Sequence, residues 1–182
     1  MDLGIIIGII VLILVIIIVW YISTCNRLKR AIIKIDEADS GIDVALTKRY
    51  DVLTKMLDVA KGYAKHEKET LGEVIKLRKG MSIAEKQEAN NKMTDTLGKI
   101  NVLAEAYPEL KSSENFKALQ LSISDVEEHL QAARRLYNAN ISSYNQDIVT
   151  FPTSIVAGMK GFTKKEFFEA EDAKKEDVKM EF

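Results

Sequence analysis

From Leu3 to Ile22 the chain carries 20 consecutive uncharged residues, L-G-I-I-I-G-I-I-V-L-I-L-V-I-I-I-V-W-Y-I. At a helical rise of about 1.5 Å per residue this run reaches about 30 Å, the thickness of a bilayer hydrocarbon core. Nothing else in the sequence restricts the fold as much, because so apolar a segment must be covered by lipid or by protein. It reads as a transmembrane helix. Trp20 and Tyr21 stand where an aromatic belt meets headgroups, and Arg27, Lys29, Arg30 and Lys34 follow. Asp2 is the only charged side chain ahead of the run, so the positive-inside rule predicts an N-terminus outside and the remainder in the cytoplasm. A cleavable signal peptide would have a basic start and a shorter apolar core. Cys25, at the end of I-S-T-C, loosely resembles a lipoprotein processing site, and lipidation there would place the bundle outside the cytoplasmic membrane. Thr24 and the lack of N-terminal lysines argue against that alternative. Gly4 and Gly8 form G-x-x-x-G within the span, a spacing that lets two transmembrane helices approach closely, and mark a candidate self-association face.

Lys and Arg total 26 against 27 Asp and Glu, with no concentrated basic face beyond the juxtamembrane cluster, which excludes nucleic acid as an expected partner. A single cysteine permits no intramolecular disulfide.

Beyond the span, apolar residues recur at steps of three and four: Leu28, Ile32, Ile35, Ile42 and Leu46, then Leu53, Leu57, Ala60, Ala64, Leu71 and Val74. The stripe shifts around Arg49, and Thr47 and Asp51 can cap helices, so a break between two helices is expected near Lys48 to Asp51, one long bent helix being the alternative. Gly80 closes the second helix. Ser82 with Glu85 forms a capping-box pattern that opens a third, carrying Met93, Leu97, Ile100, Ala104 and Tyr107 to a stop at Pro108. The most regular stripe runs Phe116, Leu119, Ile123, Val126, Leu130, Ala133, Tyr137, Ile141, Tyr144 and Ile148, predicting a fourth helix from about Ser113 to Thr150. No strand signal stands outside the span. The expected fold is all-α: an antiparallel four-helix bundle preceded by one N-terminal transmembrane helix. The domains are an anchor (1–25), the bundle (26–151) and a flexible, charged C-terminal tail (152–182).

Several short stretches resemble the LemA family in order along the chain. They are Lys48-Arg49-Tyr50-Asp51, Gly62-Tyr63-Ala64 with His66-Glu67, Tyr107-Pro108-Glu109-Leu110-Lys111, Asn115-Phe116 with Leu119-Gln120, and Ala133-Arg134-Arg135 with Tyr137-Asn138, Tyr144-Asn145 and Phe151-Pro152. The resemblance covers about Asp43 to Glu169. It implies a bacterial protein with an N-terminal membrane segment and an α-helical bundle, and no established biochemical activity. This sequence has Thr54 where a proline is common in the family, Asp39 where an aromatic is common, and Glu128-His129 where Asn-Arg is common.

The residues offer little chemistry. Neither His66 nor His129 is preceded at three residues by a glutamate, since Tyr63 and Val126 occupy those places, and H-E at 66–67 has no second histidine for H-E-x-x-H. No G-x-S-x-G elbow and no phosphate-binding glycine loop is present. No metal, no cofactor and no enzymatic activity are therefore expected. The richest polar stretch is A-R-R-L-Y-N-A-N-I-S-S-Y-N, Ala133 to Asn145, with Tyr137 and Tyr144 on the buried stripe and Arg134, Asn138 and Asn145 beside it. It reads as polar fastening between helices. Asp36, Asp39 and Asp43 supply a complement on the first helix, and a pair between Asp43 and Arg134 or Arg135 is expected to fix register. Glu67 lies on the apolar phase of the second helix and calls for a cationic partner.

The expected role is a non-enzymatic, single-pass membrane scaffold or adaptor with protein partners, with a homo-oligomer as one form it can take. Two alternatives stand beside it: a small-molecule or peptide sensor or enzyme using a cleft around Arg134, Tyr137, Asn138 and Glu67, and a membrane-shaping structural protein. The sequence names no partner, pathway or ligand.

Overall fold

A computed structural model describes residues 3–63, 77–78 and 80–168. Among these residues there are five helices and no strand: α1 (Leu3–Tyr63), α2 (Ile83–Ala106), α3 (Pro108–Ser112), α4 (Glu114–Val149) and α5 (Thr153–Lys160). The fold is all-α with one long apolar N-terminal helix.

The apolar part of α1 is rich in isoleucine, a residue of only moderate helix propensity in water, and the helix runs unbroken through it from Leu3, so each interior backbone N–H and C=O is satisfied within the segment. Its apolar window is 0% buried within the protein, unlike the core helix of a soluble domain. From Leu3 to Ile22 most large side chains lie open among the described residues, with Ile6, Trp20 and Tyr21 half-buried.

The break expected near Lys48 to Asp51 is absent: α1 is continuous through Tyr63. The physical reason is local. Thr54, where a proline is common in the resembling family, keeps its N–H, and its hydroxyl donates to the Tyr50 carbonyl at 2.8 Å. Thr47 likewise donates to the Asp43 carbonyl at 2.7 Å instead of capping a new helix. Arg49, where the stripe shifts, turns inward and finds partners, as described below.

At the next boundary Ser82 accepts from the Glu85 N–H at 3.2 Å while Glu85 accepts from the Ser82 N–H at 2.7 Å, a complete capping box. The Ser82 hydrogen bonds hold the Glu85 carboxyl below its usual range. Gly80 precedes it with φ +82°, in the left-handed region that glycine enters without strain. Pro108 ends α2 and at the same time opens α3, sitting where a helix has no intrahelical use for an N–H. The observed α4 falls one residue inside each expected end.

The chain forms two compact units. One comprises residues 1–38 and 138–166, and its core holds Leu28, Ile35, Ile141, Tyr144, Ile148, Val156 and Ala157. Asn140 donates to the Lys34 carbonyl at 3.0 Å, and Arg27 donates to the Thr153 hydroxyl at 2.7 Å and lies 3.6 Å from Asp147. The other unit comprises residues 39–137 and 167–182. Its core packs Leu53, Met56, Leu57 and Ala60 of α1 against Met93, Ile100, Leu103 and Ala104 of α2, Leu110 of α3, and Phe116 and Ile123 of α4. Three long helices and one short one therefore share that core.

The stretch expected to be a flexible tail from residue 152 is structured through Phe168. Thr153, Val156 and Ala157 of α5 are buried, Gly161 at φ +68° turns the chain, and Phe168 is 1% exposed. That apolar stripe is short, with Val156 and Ala157 set among Thr153, Ser154 and Gly158, and Lys160, Lys164 and Lys165 follow it.

Candidate functional site

Among the described residues, besides the contacts of Arg27 given above, three groupings centre on Arg49, Lys86 and Asn145, each inside one unit. The first surrounds Arg49, 3% exposed and ringed by hydrogen-bond acceptors. Its Nη1 donates to the Asn90 carbonyl at 3.0 Å and to Asn90 Oδ1 at 2.6 Å, and its Nη2 donates to Thr94 Oγ1 at 3.1 Å and to Glu127 Oε1 at 2.8 Å. One guanidinium thus ties α1 to α2 and α4, using the fork geometry that lysine lacks. Arg49 Nε has no hydrogen-bond partner among the described residues. Beside it opens a cleft of about 260 Å³ lined by Arg49, Asn90, Ser124, Glu127, Gln131 and Arg134, among others.

The second is Lys86, 3% exposed, whose Nζ lies 2.7 Å from Asp39 Oδ1 and 2.7 Å from Asp43 Oδ1. Burial by itself would lower the Lys86 pKa, but the hydrogen bonds from the two aspartates outweigh it and hold the ammonium above its ordinary value. A raised folded-state pKa stabilises fully below the unfolded value and is lost as pH rises through the folded one. The stability gap between the native protein and Lys86→Met is therefore expected to stay constant from neutral pH upward. It should then narrow above the ordinary lysine value of 10.5, as read by denaturant titrations at pH 8 and pH 11.

The third is Asn145, which grips the backbone of the returning C-terminal segment at both ends of one peptide-like pair. Its Nδ2 donates to the Lys165 carbonyl at 2.9 Å, and its Oδ1 accepts from the Lys165 N–H at 2.9 Å. Asn145→Ala should loosen this segment locally by about 1 kcal/mol and so speed tryptic cleavage at Lys164 and Lys165 about fivefold, with an unchanged melting temperature.

The residues singled out in the sequence are distributed among these places. Asp43 is expected to pair with Arg134 or Arg135; its carboxylate lies 2.7 Å from Lys86 of α2 instead. Asp36 is exposed and makes no ion pair among the described residues, and Arg135 is exposed. Arg134 lies over the Phe168 ring within its own unit, 4.7 Å from its centroid, and so covers part of that buried side chain. Tyr137 and Tyr144 are buried, and desolvation raises the Tyr144 pKa. Asn138 is half-buried. Glu67 lies outside the described residues. Gly4 and Gly8 stand on the open surface of the apolar helix, with nothing within 4 Å of where a Cβ would stand on either.

Sequence reasoning missed Arg49 and Lys86 as central polar groups. A signal was present for both: Arg49 falls between Leu46 and Leu53 on the α1 stripe, and Lys86 lies seven residues before Met93 on the α2 stripe. A charge in phase with a buried stripe requires a partner.

Comparison with known proteins agrees with the resemblance noted above. The LemA family profile matches residues 38–182. Protein LemA of Metamycoplasma hominis is 32% identical over 163 residues, covering 87% of this chain and 74% of that protein. Magnetosome protein MamQ 1 of Paramagnetospirillum magneticum is 30% identical over 79 residues, and magnetosome protein MamQ of Magnetospirillum gryphiswaldense is 29% identical over 79 residues. Each of these two matches covers 43% of this chain and 29% of the magnetosome protein. The chain belongs to the LemA family.

Proposed function

We propose that this protein is a single-pass membrane scaffold or adaptor that presents a helical bundle to protein partners at the cytoplasmic face and self-associates through its span. The observation that carries the reading is the course of α1. The same helix that leaves Leu3 to Ile22 uncovered goes on to place Leu53, Met56 and Leu57 in a bundle core. The clusters at Arg49, Lys86 and Asn145 also support it, since each spends its polar groups on joining parts of its own unit. None of the matched relatives carries the name of a reaction.

Two measurements test this. The full-length protein in detergent should have the mass of a defined oligomer after subtraction of the micelle, and Gly4→Leu with Gly8→Leu should reduce it to a monomer. Open space around both glycines means that leucine strains nothing within the chain, so a change in mass reports helix association. A native monomer would sink the self-association. In sealed right-side-out vesicles, external protease should spare the bundle; digestion from outside would reverse the orientation drawn from Arg27, Lys29, Arg30 and Lys34.

A second reading is favoured by the cleft beside Arg49 and Arg134, whose lining also includes Glu127, Glu128 and Gln131 and so suits a small polar ligand. A saturable rise in melting temperature with a metabolite, abolished by Gln131→Leu, would favour this sensor reading; no rise across a broad panel would dismiss it.

A further inference from the structure

We propose that the C-terminal end of α5 is a second membrane contact, and that the cleft between it and α1 holds the phosphate of an anionic phospholipid. The proposal rests on reading Leu3 to Ile22 as the span. Its geometry lies entirely within the unit formed by residues 1–38 and 138–166.

Helix α5 runs antiparallel to α1. At its start the Thr153 hydroxyl accepts from Arg27, and at its end Lys160 Nζ lies 5.9 Å from the centroid of the Tyr21 ring. Between Arg27 and Tyr21 the α1 axis advances about 9 Å, and α5 advances about 10 Å over Thr153 to Lys160. Helix α5 therefore descends beside α1 until its last turn is level with Tyr21 and Ile22, where the apolar run ends. A headgroup layer is roughly 5–8 Å deep beyond the hydrocarbon core, so Met159, Lys160 and the turn at Gly161 fall inside it.

The side chains at that depth are of the kind the layer accommodates. Met159 is 70% exposed and Ile155 51% exposed, one turn apart on one face of α5, while Val156 and Ala157 between them in sequence are buried. The polar chemistry converges alongside. A cleft of about 250 Å³ is lined by Tyr21, Ile22, Cys25, Asn26, Lys29, Lys160 and Phe162. Lys29 and Lys160 come from different helices and are both exposed, and Asn26 adds an amide donor. Ile22, Cys25 and Phe162 give the cleft an apolar wall continuous with the outer surface of the span. Two ammonium groups over an apolar wall that merges with the hydrocarbon boundary fit a phosphodiester carrying acyl chains better than a free anion. Among the described residues no acid lines the cleft, and of the acids in this unit Asp147 is engaged by Arg27, while Asp36, Glu37 and Glu166 lie in sequence beside Lys34 and Lys165.

The test uses the full-length protein extracted in detergent, with phosphatidylglycerol or phosphatidylcholine of matched chains added before native mass spectrometry. Phosphatidylglycerol should be retained about 30-fold better than phosphatidylcholine, the preference expected of two interfacial lysines. Lys29→Gln with Lys160→Gln should reduce retention to the phosphatidylcholine level, while Lys55→Gln with Lys99→Gln should leave it unchanged. Circular dichroism confirms that both double variants keep their helices. Equal retention of the two lipids, or unchanged retention in Lys29→Gln with Lys160→Gln, overturns the proposal. So does binding of soluble glycerol phosphate as tight as that of the lipid, which would make this a free-anion site. Failure of the span itself is read separately, as release of the protein from membranes by alkaline carbonate.

Discussion

Phe116→Ala is expected to lower the stability of the full-length protein by about 4 kcal/mol, more than any other single substitution named for this chain. Phe116 is 0% exposed and sits where the first turn of α4 meets α1, α2 and α3 in one core. Removing the ring forfeits its transfer free energy and leaves a cavity. The wall can close little, because its other sides are long helices already packed through Met56, Met93 and Ile100. At about 2–4 °C per kcal/mol for a chain of this size, the melting temperature in detergent, followed by helical circular dichroism, should fall by about 8–16 °C. Phe116→Leu should cost less than half as much, since most of the volume is kept. A drop of under about 2 °C for the alanine variant, less than 1 kcal/mol would give, would show that this core does not govern cooperative unfolding.

Arg49→Met is expected to cost about 2 kcal/mol, less than the figure usual for breaking a fully buried ion pair. Two opposing effects set the size. Asn90 Oδ1 and Glu127 lose a charge-assisted donor, and the join among α1, α2 and α4 is lost with it. Against this, Glu127 is 45% exposed and regains water, and the methionine has no counterpart to the buried Nε that finds no partner among the described residues. Arg49→Lys should cost nearly as much as Arg49→Met, because one ammonium cannot reach Asn90, Thr94 and Glu127 in the directions a planar fork does. If lysine restores native stability, charge alone matters and the fork geometry is irrelevant.

The outcome for the candidate polar groups separates two kinds of information. Helices α2 and α4 and their ends were legible because their signals are local: a capping box at Ser82 and Glu85, a proline at 108, and ten apolar residues in phase from Phe116 to Ile148. The apolar N-terminal stretch of α1 was equally legible, since 20 uncharged residues need no tertiary partner to declare themselves. The continuity of α1 through residue 50 was less so, because threonine and aspartate serve as caps or as back-bonded interior residues depending on what the next turn packs against.

What the sequence by itself determined was therefore periodicity, the capping box at Ser82 and the apolar N-terminal helix, all consequences of interactions within a few residues. The tertiary structure alone decided the pairings: Lys86 for Asp43, Phe168 beneath Arg134, Lys165 for Asn145, and a short helix with one side buried in what composition marks as tail. The reason is geometric. A charged side chain on a stripe announces that it needs a partner, but which of several suitable residues supplies it depends on helix register, and register is set by the summed packing of Leu53, Met56, Met93, Ile100 and Phe116 rather than by any pair of charges.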